Sequence, residues 1–281
     1  MIEAARERIA GIEQAKPPLE QALAELRKLS LEEFGELLLT LPDPGLPHLS
    51  SLLPHATPDS VQKEWTGSAG IPLLRQSVSF VSFLAAEYTT QTGRPLADAQ
   101  VLDFGVGWGR LMRLLPFFAD PEKLHGVDPW ESSLGHARAA RLLGRVEKSQ
   151  VEPAELPFPE VRFELIYAFS VFTHLSSRVA AACLAAMRKR VAPDGIAVIT
   201  LRPAEFWPYL AQQRGRDYPE QTARHAADGY AFVPASDGAN YGDTSMSEAY
   251  LKRIAEGWEI ARMGVSFIDP YQVFVTLRPA A

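Results

Sequence analysis

The stretch Val101–Arg110, V-L-D-F-G-V-G-W-G-R, has residue types that let a backbone approach a bound molecule. Gly105, Gly107 and Gly109 stand at every second position after a short apolar run. Glycine leaves room beside the main chain, and the free N–H groups that open a following helix favour the polar end of a ligand. The pattern therefore predicts a cofactor-binding turn. The alternative is a tight turn whose glycines serve packing alone.

The spacing and charge of this turn argue against a dinucleotide cofactor. The dinucleotide fingerprint is G-x-G-x-x-G, whereas these glycines alternate with single residues throughout. Asp103, just before Gly105, would repel a pyrophosphate but suits a cationic amino acid moiety. A nicotinamide-dependent oxidoreductase stays as the alternative enzyme class. A cofactor-binding interaction protein without turnover is the other hypothesis.

These residues resemble the first motif of the class I S-adenosylmethionine-dependent methyltransferases, an acid followed by G-x-G-x-G. The resemblance implies that Asp103 engages the methionine end of S-adenosylmethionine, while the backbone of Gly105, Gly107 and Gly109 passes beneath it. The family's second signature is an acid at the end of the second strand, which accepts both ribose hydroxyls. Asp128, in L-H-G-V-D-P-W, matches that acid.

Further matches follow in the family's order, and the resemblance covers about residues 100–201. Trp130 is close enough to Asp128 for its ring to cover an adenine face, the alternative being a partly buried aromatic at a helix start. The segment V-E-P-A-E-L-P-F-P resembles the loop after strand three, which implies that Glu152 receives the adenine amino group. The implied cofactor set also includes Pro129, Pro153, Phe169 and Ser170.

Methyl transfer is an in-line displacement that needs alignment, exclusion of water and sometimes a base. In the family, strand four ends at the methyl group, which implies that Ser170 and His174 are the nearest side chains with useful chemistry. His174 is the candidate catalytic residue because an imidazole can deprotonate a hydroxyl or amine. The alternative is a ring that only shapes the pocket. Candidate acceptor-binding residues lie farther along the chain: His225, Tyr230, Tyr241, Asp269 and Tyr271.

No motif identifies the methyl acceptor. Amino methyltransferases that resemble this fold carry Asp/Asn-Pro-Pro-Tyr/Phe after strand four, whereas this chain has Phe169–Phe172, F-S-V-F. No clustered Asp and Asn residues indicate a catechol-type metal site, so no metal is expected. Small molecules or glycans are the expected acceptors, with a hydroxyl oxygen as the expected target.

Composition limits the setting and the partners. A formal charge of −6 and a pI near 5.6 disfavour nucleic acid as a partner. The basic run Arg188–Arg190 suits a helix end, where cations complement the dipole. No apolar run approaches the ~18 residues of a membrane span, and no signal peptide is indicated. The lone Cys183 permits no intrachain disulfide, so a reducing, cytoplasmic setting is expected.

The sequence pattern around these residues predicts an α/β fold. Short β-rich runs alternate with helical runs from Gln100 onward, which is the signature of crossover units. The predicted strands are 100–104, 124–128, 145–149, 163–170 and 195–201, and the helical runs are 111–118, 134–143 and 178–190. A turn is predicted at Ala192–Gly195, and two terminal strands, 258–265 and 271–278, are expected to pair antiparallel. The prediction is a Rossmann-like, doubly wound, seven-stranded, mostly parallel sheet with an antiparallel terminal strand.

Two further regions are predicted around this sheet. Residues 1–60 read as an N-terminal helical extension, with a capping box at Ser30–Glu33, and residues 61–281 as the methyltransferase domain. The extension is expected to pack on the sheet domain or on a second subunit, which would make a homodimer. An acceptor-side insertion, at about 205–245, is expected to close as a glycine-hinged lid.

Overall fold

The computed structural model describes residues 3–235, 238–266 and 268–280. The helices in these residues are α1 Glu3–Ala15, α2 Leu19–Leu26, α3 Leu31–Thr40, α4 Pro47–Leu52, α5 Asp59–Thr66, α6 Gly70–Thr92, α7 Glu131–Ala139, α8 Ser177–Arg190, α9 Phe206–Arg214, α10 Pro219–Asp228 and α11 Glu248–Ile254. The strands are β1 Val101–Phe104, β2 Leu124–Asp128, β3 Arg145–Lys148, β4 Phe163–Ala168, β5 Val191–Leu201, β6 Tyr230–Pro234, β7 Gly242–Met246, β8 Trp258–Val265 and β9 Val273–Pro279. Short 3₁₀ helices are Leu96–Asp98, Met112–Phe117 and Pro121–Lys123.

Seven strands form one sheet in the order β3-β2-β1-β4-β5-β9-β8. The pairs β2–β3, β1–β4 and β4–β5 are parallel, whereas β5–β9 and β9–β8 are antiparallel. Strands β1 and β2 are buried along their whole length, as expected for a sheet covered on both faces. The predicted Rossmann-like α/β fold is confirmed. Strands β6 and β7 form a separate antiparallel pair.

Contacts divide the chain into two compact units, Met1–Ala99 with Val106–Lys148 and Gln100–Gly105 with Ser149–Ala281. In the first unit, Phe34 of α3 is fully buried and its ring centroid lies 5.7 Å from that of Phe117. Arg27 donates to Pro116 O at 3.0 Å. The N-terminal helices thus pack against the 3₁₀ helix that follows the glycine turn. The separate extension at residues 1–60 stays a prediction.

Short-range sequence patterns predicted some ends of helices and strands correctly and others incorrectly. Ser30 Oγ accepts from Glu33 N–H at 3.2 Å, which confirms the capping box. The run after the glycine turn is a 3₁₀ helix instead of a regular helix, because Pro116 has no N–H and disfavours α-helical continuation. The turn predicted at Ala192–Gly195 bulges out of β5, since Phe163 pairs with Val191 and Leu165 already pairs with Ile196.

In the second unit, the segment between β5 and β8 is folded and has a small core of its own. Side chains from α9, from the residue before α10 and from β6 form a buried cluster that is mainly aromatic: Phe206, Trp207, Leu210, Tyr218 and Ala231. Gly229 ends α10 in the left-handed region, at φ 76°. Cys183 of α8 is buried, which raises the pKa of its thiol to about 12. The lid motion predicted for this segment stays a prediction.

No single described helix is long and apolar enough to cross a bilayer. Helices α5 and α6 reach the necessary length and apolar composition only as a pair, and they are bent by 57° relative to each other.

Candidate active site

Two of the three glycines in the turn are needed for packing. All three have positive φ, 85° at Gly105, 56° at Gly107 and 87° at Gly109. A Cβ on Gly105 would lie 2.5 Å from Val171 Cγ2, and one on Gly109 would lie 2.3 Å from Leu142 Cδ1. Side chains of the protein itself therefore occupy the space that these glycines leave.

The middle glycine faces a different neighbour. A Cβ on Gly107 would meet only the ring of Trp65, at an ordinary contact distance of 3.6 Å from Cζ3. Trp65, in the last turn of α5, is 41% exposed and lies edge-on to His136, with ring centroids 6.0 Å apart. Trp65 was not predicted, because nothing in the sequence around α5 marks it as a neighbour of the turn. Gly107 is thus the position where a ligand can approach the backbone.

Asp128 is tied to this turn by main-chain donors. Gly107 N–H donates to its Oδ2 at 3.0 Å, and Trp130 N–H donates to its Oδ1 at 2.9 Å. Burial raises the pKa of Asp128, against the opposing effect of these hydrogen bonds and of Ser133. A carboxylate has about four acceptor positions, so Asp128 keeps capacity for a further donor beside these partners. Pro129 is half-buried, and the Trp130 side chain is 44% exposed at the start of α7.

In the second unit, Asp103 is the buried acid of β1. It lies opposite Tyr167 of β4 in the parallel register. Burial, together with the negative charge of Asp103, raises the pKa of Tyr167 well above its ordinary value. Gly105 meets Val171 in the segment after β4. The acid, the first glycine and the end of β4 are therefore brought together, as the sequence predicted.

Ser170 follows β4 directly, after the half-buried Phe169. Its φ of 58° places a non-glycine residue in the left-handed region. Its N–H donates to Thr200 Oγ1 at 2.7 Å, and its Oγ lies 3.2 Å from Thr173 Oγ1. Gln272 Nε2 also donates to Ser170 Oγ, at 3.3 Å. The segment after β4 thus carries uncharged hydrogen-bonding groups in a fixed arrangement.

Glu152, the residue expected to receive the adenine amino group, is engaged by Arg178. Arg178 Nη1 donates to Glu152 Oε2, and Arg178 Nη2 donates to Asn240 Oδ1 at 2.9 Å. Pro153 is buried beside it in the chain. An adenine amino group would therefore share Glu152 with a guanidinium, and the adenine role of Glu152 stays a prediction.

His174 uses both ring nitrogens within the protein. Nδ1 donates to Gly242 O at 2.7 Å, because a carbonyl can only accept, and Nε2 lies 3.4 Å from Arg202 Nη2. Burial, with the charge of Arg202 as a second cause, lowers the pKa of His174 to about 4. The Tyr241 ring stacks on it, with centroids 5.1 Å apart. The catalytic role of His174 stays a prediction, and its one basic atom faces a cation.

A charge cluster holds the neighbourhood of His174. Arg202 and Arg214 both contact Asp243, at 2.9 Å to Oδ1 and 2.9 Å to Oδ2. Arg202 also donates to Thr173 O at 3.0 Å, and its guanidinium lies 4.0 Å from the centre of the Phe206 ring. Within the second unit, the cluster joins the residue after β5, the end of α9, the segment after β4 and β7.

The other predicted acceptor-binding residues have internal partners. Tyr230 donates to Leu175 O at 3.4 Å and stacks on Tyr250 at 4.6 Å. Burial raises the pKa of Tyr230 and lowers that of His225, whose Nδ1 lies 2.7 Å from Ser245 Oγ. Tyr241 remains 42% exposed. Among the described residues, no group of three or more His, Cys, Asp or Glu side chains fits a metal ion.

Comparison with known proteins places this geometry in a family of folds. Residues 101–195 match the family model described as a methyltransferase domain. The chain is similar to magnesium protoporphyrin IX methyltransferase from Synechocystis with bound S-adenosylhomocysteine, at 16% identity over 79% of this chain and 94% of that chain, with a TM-score of 0.51. It is also similar to an S-adenosylmethionine-dependent methyltransferase from Clostridium acetobutylicum, at 13% identity over 79% of this chain and 97% of that chain, with a TM-score of 0.54. No curated protein sequence matches the chain.

The structural likenesses at these identities show the fold. The family-model match, over residues 101–195, indicates methyltransferase activity. The acid and alternating glycines at residues 103–109 lie within the matched segment, as does Asp128. Residues 101–195 therefore match a methyltransferase domain, on a fold that the chain shares with S-adenosylmethionine-dependent methyltransferases.

Proposed function

We propose that the protein transfers the methyl group of S-adenosylmethionine to a hydroxyl oxygen of a small molecule or glycan. The observation that carries this proposal is the uncharged polar cluster after β4, Ser170 with Thr173, Thr200 and Gln272. Hydroxyl and amide groups suit a neutral, hydrogen-bonding acceptor. The chain's formal charge of −6 favours such an acceptor over a nucleic acid.

The cofactor-binding roles proposed for individual residues rest on their chemistry. Asp128 would accept the ribose hydroxyls, and the Gly107 backbone, free of close neighbours apart from Trp65, would let the cofactor approach. Asp103 would hold the cationic methionine end. The remaining proposed contacts are Gly105, Gly109, Pro129, Trp130, Glu152, Pro153, Phe169 and Ser170.

When bound, S-adenosylmethionine supplies an electrophilic methyl group on a sulfonium centre. The protein's residues then have to align the attacking oxygen and exclude water. Ser170, half-buried and held by the hydroxyl of the buried Thr173, offers a fixed hydrogen-bonding position for this alignment. His174 is the proposed base for the proton of the hydroxyl: burial lowers its pKa to about 4, which keeps the ring in the neutral form that a base requires and makes it a weak base.

The deciding experiment measures binding and product formation with the purified full chain. Calorimetry with S-adenosylhomocysteine should give micromolar-order affinity, with NAD binding much more weakly. Incubation with S-adenosylmethionine and a protein-free small-molecule extract of the cells that make the protein should release S-adenosylhomocysteine. Tighter binding of NAD would favour an oxidoreductase, and cofactor binding without any product would favour an interaction protein.

Two parts of the proposal concern assembly and location. The exposed faces of α1 and α2 would allow a homodimer through the N-terminal helices, and a cytoplasmic location fits the single cysteine. Light scattering of the full chain and of a chain lacking residues 1–28 tests the dimer. If the number of chains per particle is the same with and without residues 1–28, these helices have no part in an interface between copies.

A further inference from the structure

Arg113 is a buried cation that pairs with no carboxylate in the part of the chain that the structure describes. It lies in the 3₁₀ helix Met112–Phe117, after the glycine turn, and is 6% exposed. Its Nη2 donates to Leu38 O at 2.9 Å and to His55 O at 3.0 Å. Burial lowers the pKa of Arg113 to about 10, so the side chain is charged at neutral pH. Arginine is almost never fully buried without a partner of opposite charge.

The guanidinium of Arg113 also has hydrogen-bond donors that the protein does not use. It carries five N–H groups, and the two carbonyl oxygens engage only Nη2. Its Nε and Nη1 donate to no residue that the structure describes. Arg113 lines a cavity of about 20 Å³, which is large enough for one water molecule or one ion of similar size. Unused donors and a cavity of suitable size therefore occur at the same residue.

The other polar side chains that line this cavity favour an anion. Trp108 is 4% exposed, and its indole N–H has no acceptor among the described residues. Ser77 Oγ already accepts from Arg110 Nε at 2.9 Å, and Gln62 Oε1 already accepts from Gly70 N–H at 3.1 Å. Among the described residues, two arginines and no carboxylate line the cavity. The lining therefore offers N–H donors and positive charge.

A wider cavity of about 450 Å³ adjoins the small one and shares three of its lining residues, Leu39, Gln62 and Gly70. The wider cavity is also lined by Glu36 and by the exposed Asp59, and neither carboxylate forms an ion pair with Arg113. Their negative charge repels polyvalent anions more strongly than monovalent ones. The entrance and the volume of the inner cavity thus favour a small, singly charged ion.

We propose that the cavity beside Arg113 binds a monovalent anion of the size of chloride, which accepts from the guanidinium and from the indole N–H of Trp108. The ion neutralises a buried charge, whereas a water molecule in the same cavity would leave that charge uncompensated. This role is independent of methyl transfer. The bound ion stabilises the packing of α3 against the segment that follows the glycine turn, because Arg113 joins the two.

Thermal unfolding of the full chain tests the site, after dialysis into potassium gluconate. As chloride replaces gluconate at constant ionic strength, the wild-type melting temperature should rise by about 2–4 °C and then level off. Arg113→Gln should abolish this rise. Trp108→Phe, which keeps an aromatic ring, should weaken the apparent chloride affinity by about threefold or more. Arg27→Gln is the matched control and should keep the rise, because Arg27 has its own carboxylate partner, Asp120, at 2.7 Å.

Diffraction from crystals of the full chain in bromide locates the ion directly. An anomalous peak in hydrogen-bond contact with the Arg113 guanidinium is expected. This measurement and Trp108→Phe decide the question even if Arg113→Gln does not fold. Equal melting temperatures in chloride and gluconate, a rise that Arg113→Gln retains in full, or crystals with no bromide at Arg113 would each overturn the anion site.

Discussion

The glycine turn with Asp128 and the region around His174 are built in different ways. In the first, main-chain N–H groups of Gly107 and Trp130 hold one carboxylate, and all the participants lie within a short stretch of sequence. In the second, side chains from distant segments hold one another, as in the contact of Arg202 with Asp243. The proposed cofactor side is thus encoded locally, whereas the proposed acceptor side depends on tertiary packing.

This difference explains why two regions of one protein tolerate change differently. A main-chain donor is present whatever side chain its residue carries, so the turn depends on few residue identities. The cluster around Asp243 contains three charges, and the loss of Asp243 leaves the buried Arg202 without its carboxylate partner. Substitutions on the two sides should therefore have separable effects, on cofactor affinity for the turn and on folding for the cluster.

The largest expected effect is that of Asp243→Ala on folding. Arg202, only 13% exposed in its side chain, would lose its carboxylate partner. We expect the free energy of unfolding to fall by about 3 kcal/mol, as for other broken buried pairs. Denaturant unfolding measures this change. Glu220→Ala, which removes an exposed partner of Arg224, is the matched control and should cost about 0.5 kcal/mol or less.

The next effect is that of Asp128→Ala on cofactor affinity. Two charge-assisted hydrogen bonds to the ribose would be lost, which should weaken S-adenosylhomocysteine binding by about 2–4 kcal/mol. Calorimetry with a variant shown to be folded by circular dichroism gives the measurement. Glu131→Ala, at the exposed start of α7, serves as the control. Equal affinities for wild type and Asp128→Ala would remove Asp128 from the site.

Trp65→Ala should have a smaller effect on the same affinity. The ring lies over Gly107 and would lose its contact with a bound cofactor, at a cost of about tenfold in Kd, or about 1.4 kcal/mol. Trp130→Ala tests the second exposed tryptophan, whose proposed role is to cover the adenine. If only Trp130→Ala weakens binding, α5 has no part in the cofactor site.

The smallest expected effect is that of pH on the acceptor side. His174 has a folded-state pKa of about 4 instead of 6.5, so its contribution to stability is fully present above 6.5 and is lost as the pH falls toward 4. His174 therefore stays neutral at pH 6 to 8. Over this range, the pH dependence of turnover should have the same shape in the wild type and in His174→Gln. A wild-type inflection near pH 6.5 that is absent from this variant would instead show that His174 titrates at its ordinary pKa.

Sequence spacing predicted the strands that carry the proposed cofactor residues, whose binding roles stay predictions. The alternating glycines, Asp103 and Asp128 lie at the ends of strands that periodicity places correctly. The capping box at Ser30 is equally local. Periodicity does not report on Trp65, because its contact with Gly107 arises from packing of α5.

The acceptor side was predicted less well, for the same physical reason. Residue type made His174 a plausible base, but its low pKa depends on Arg202 and on burial, which only the folded chain brings about. Tyr230 and His225, two of the candidate acceptor-binding residues, use their hydrogen-bonding groups within the protein. Gln272 lies 102 positions from Ser170 in the chain, so nothing in the local sequence connects them.

Because the single cysteine, Cys183, is buried, the native protein should react little with thiol-labelling reagents. Its thiol is 2% exposed and, with a pKa of about 12, stays protonated at neutral pH. Alkylating reagents attack thiolates, so they should leave the folded native chain unmodified. A cysteine introduced by Ala239→Cys, at an exposed position between β6 and β7, would then be the single reactive thiol. A fluorophore attached there would report directly on whether the segment that carries β6 and β7 moves during turnover.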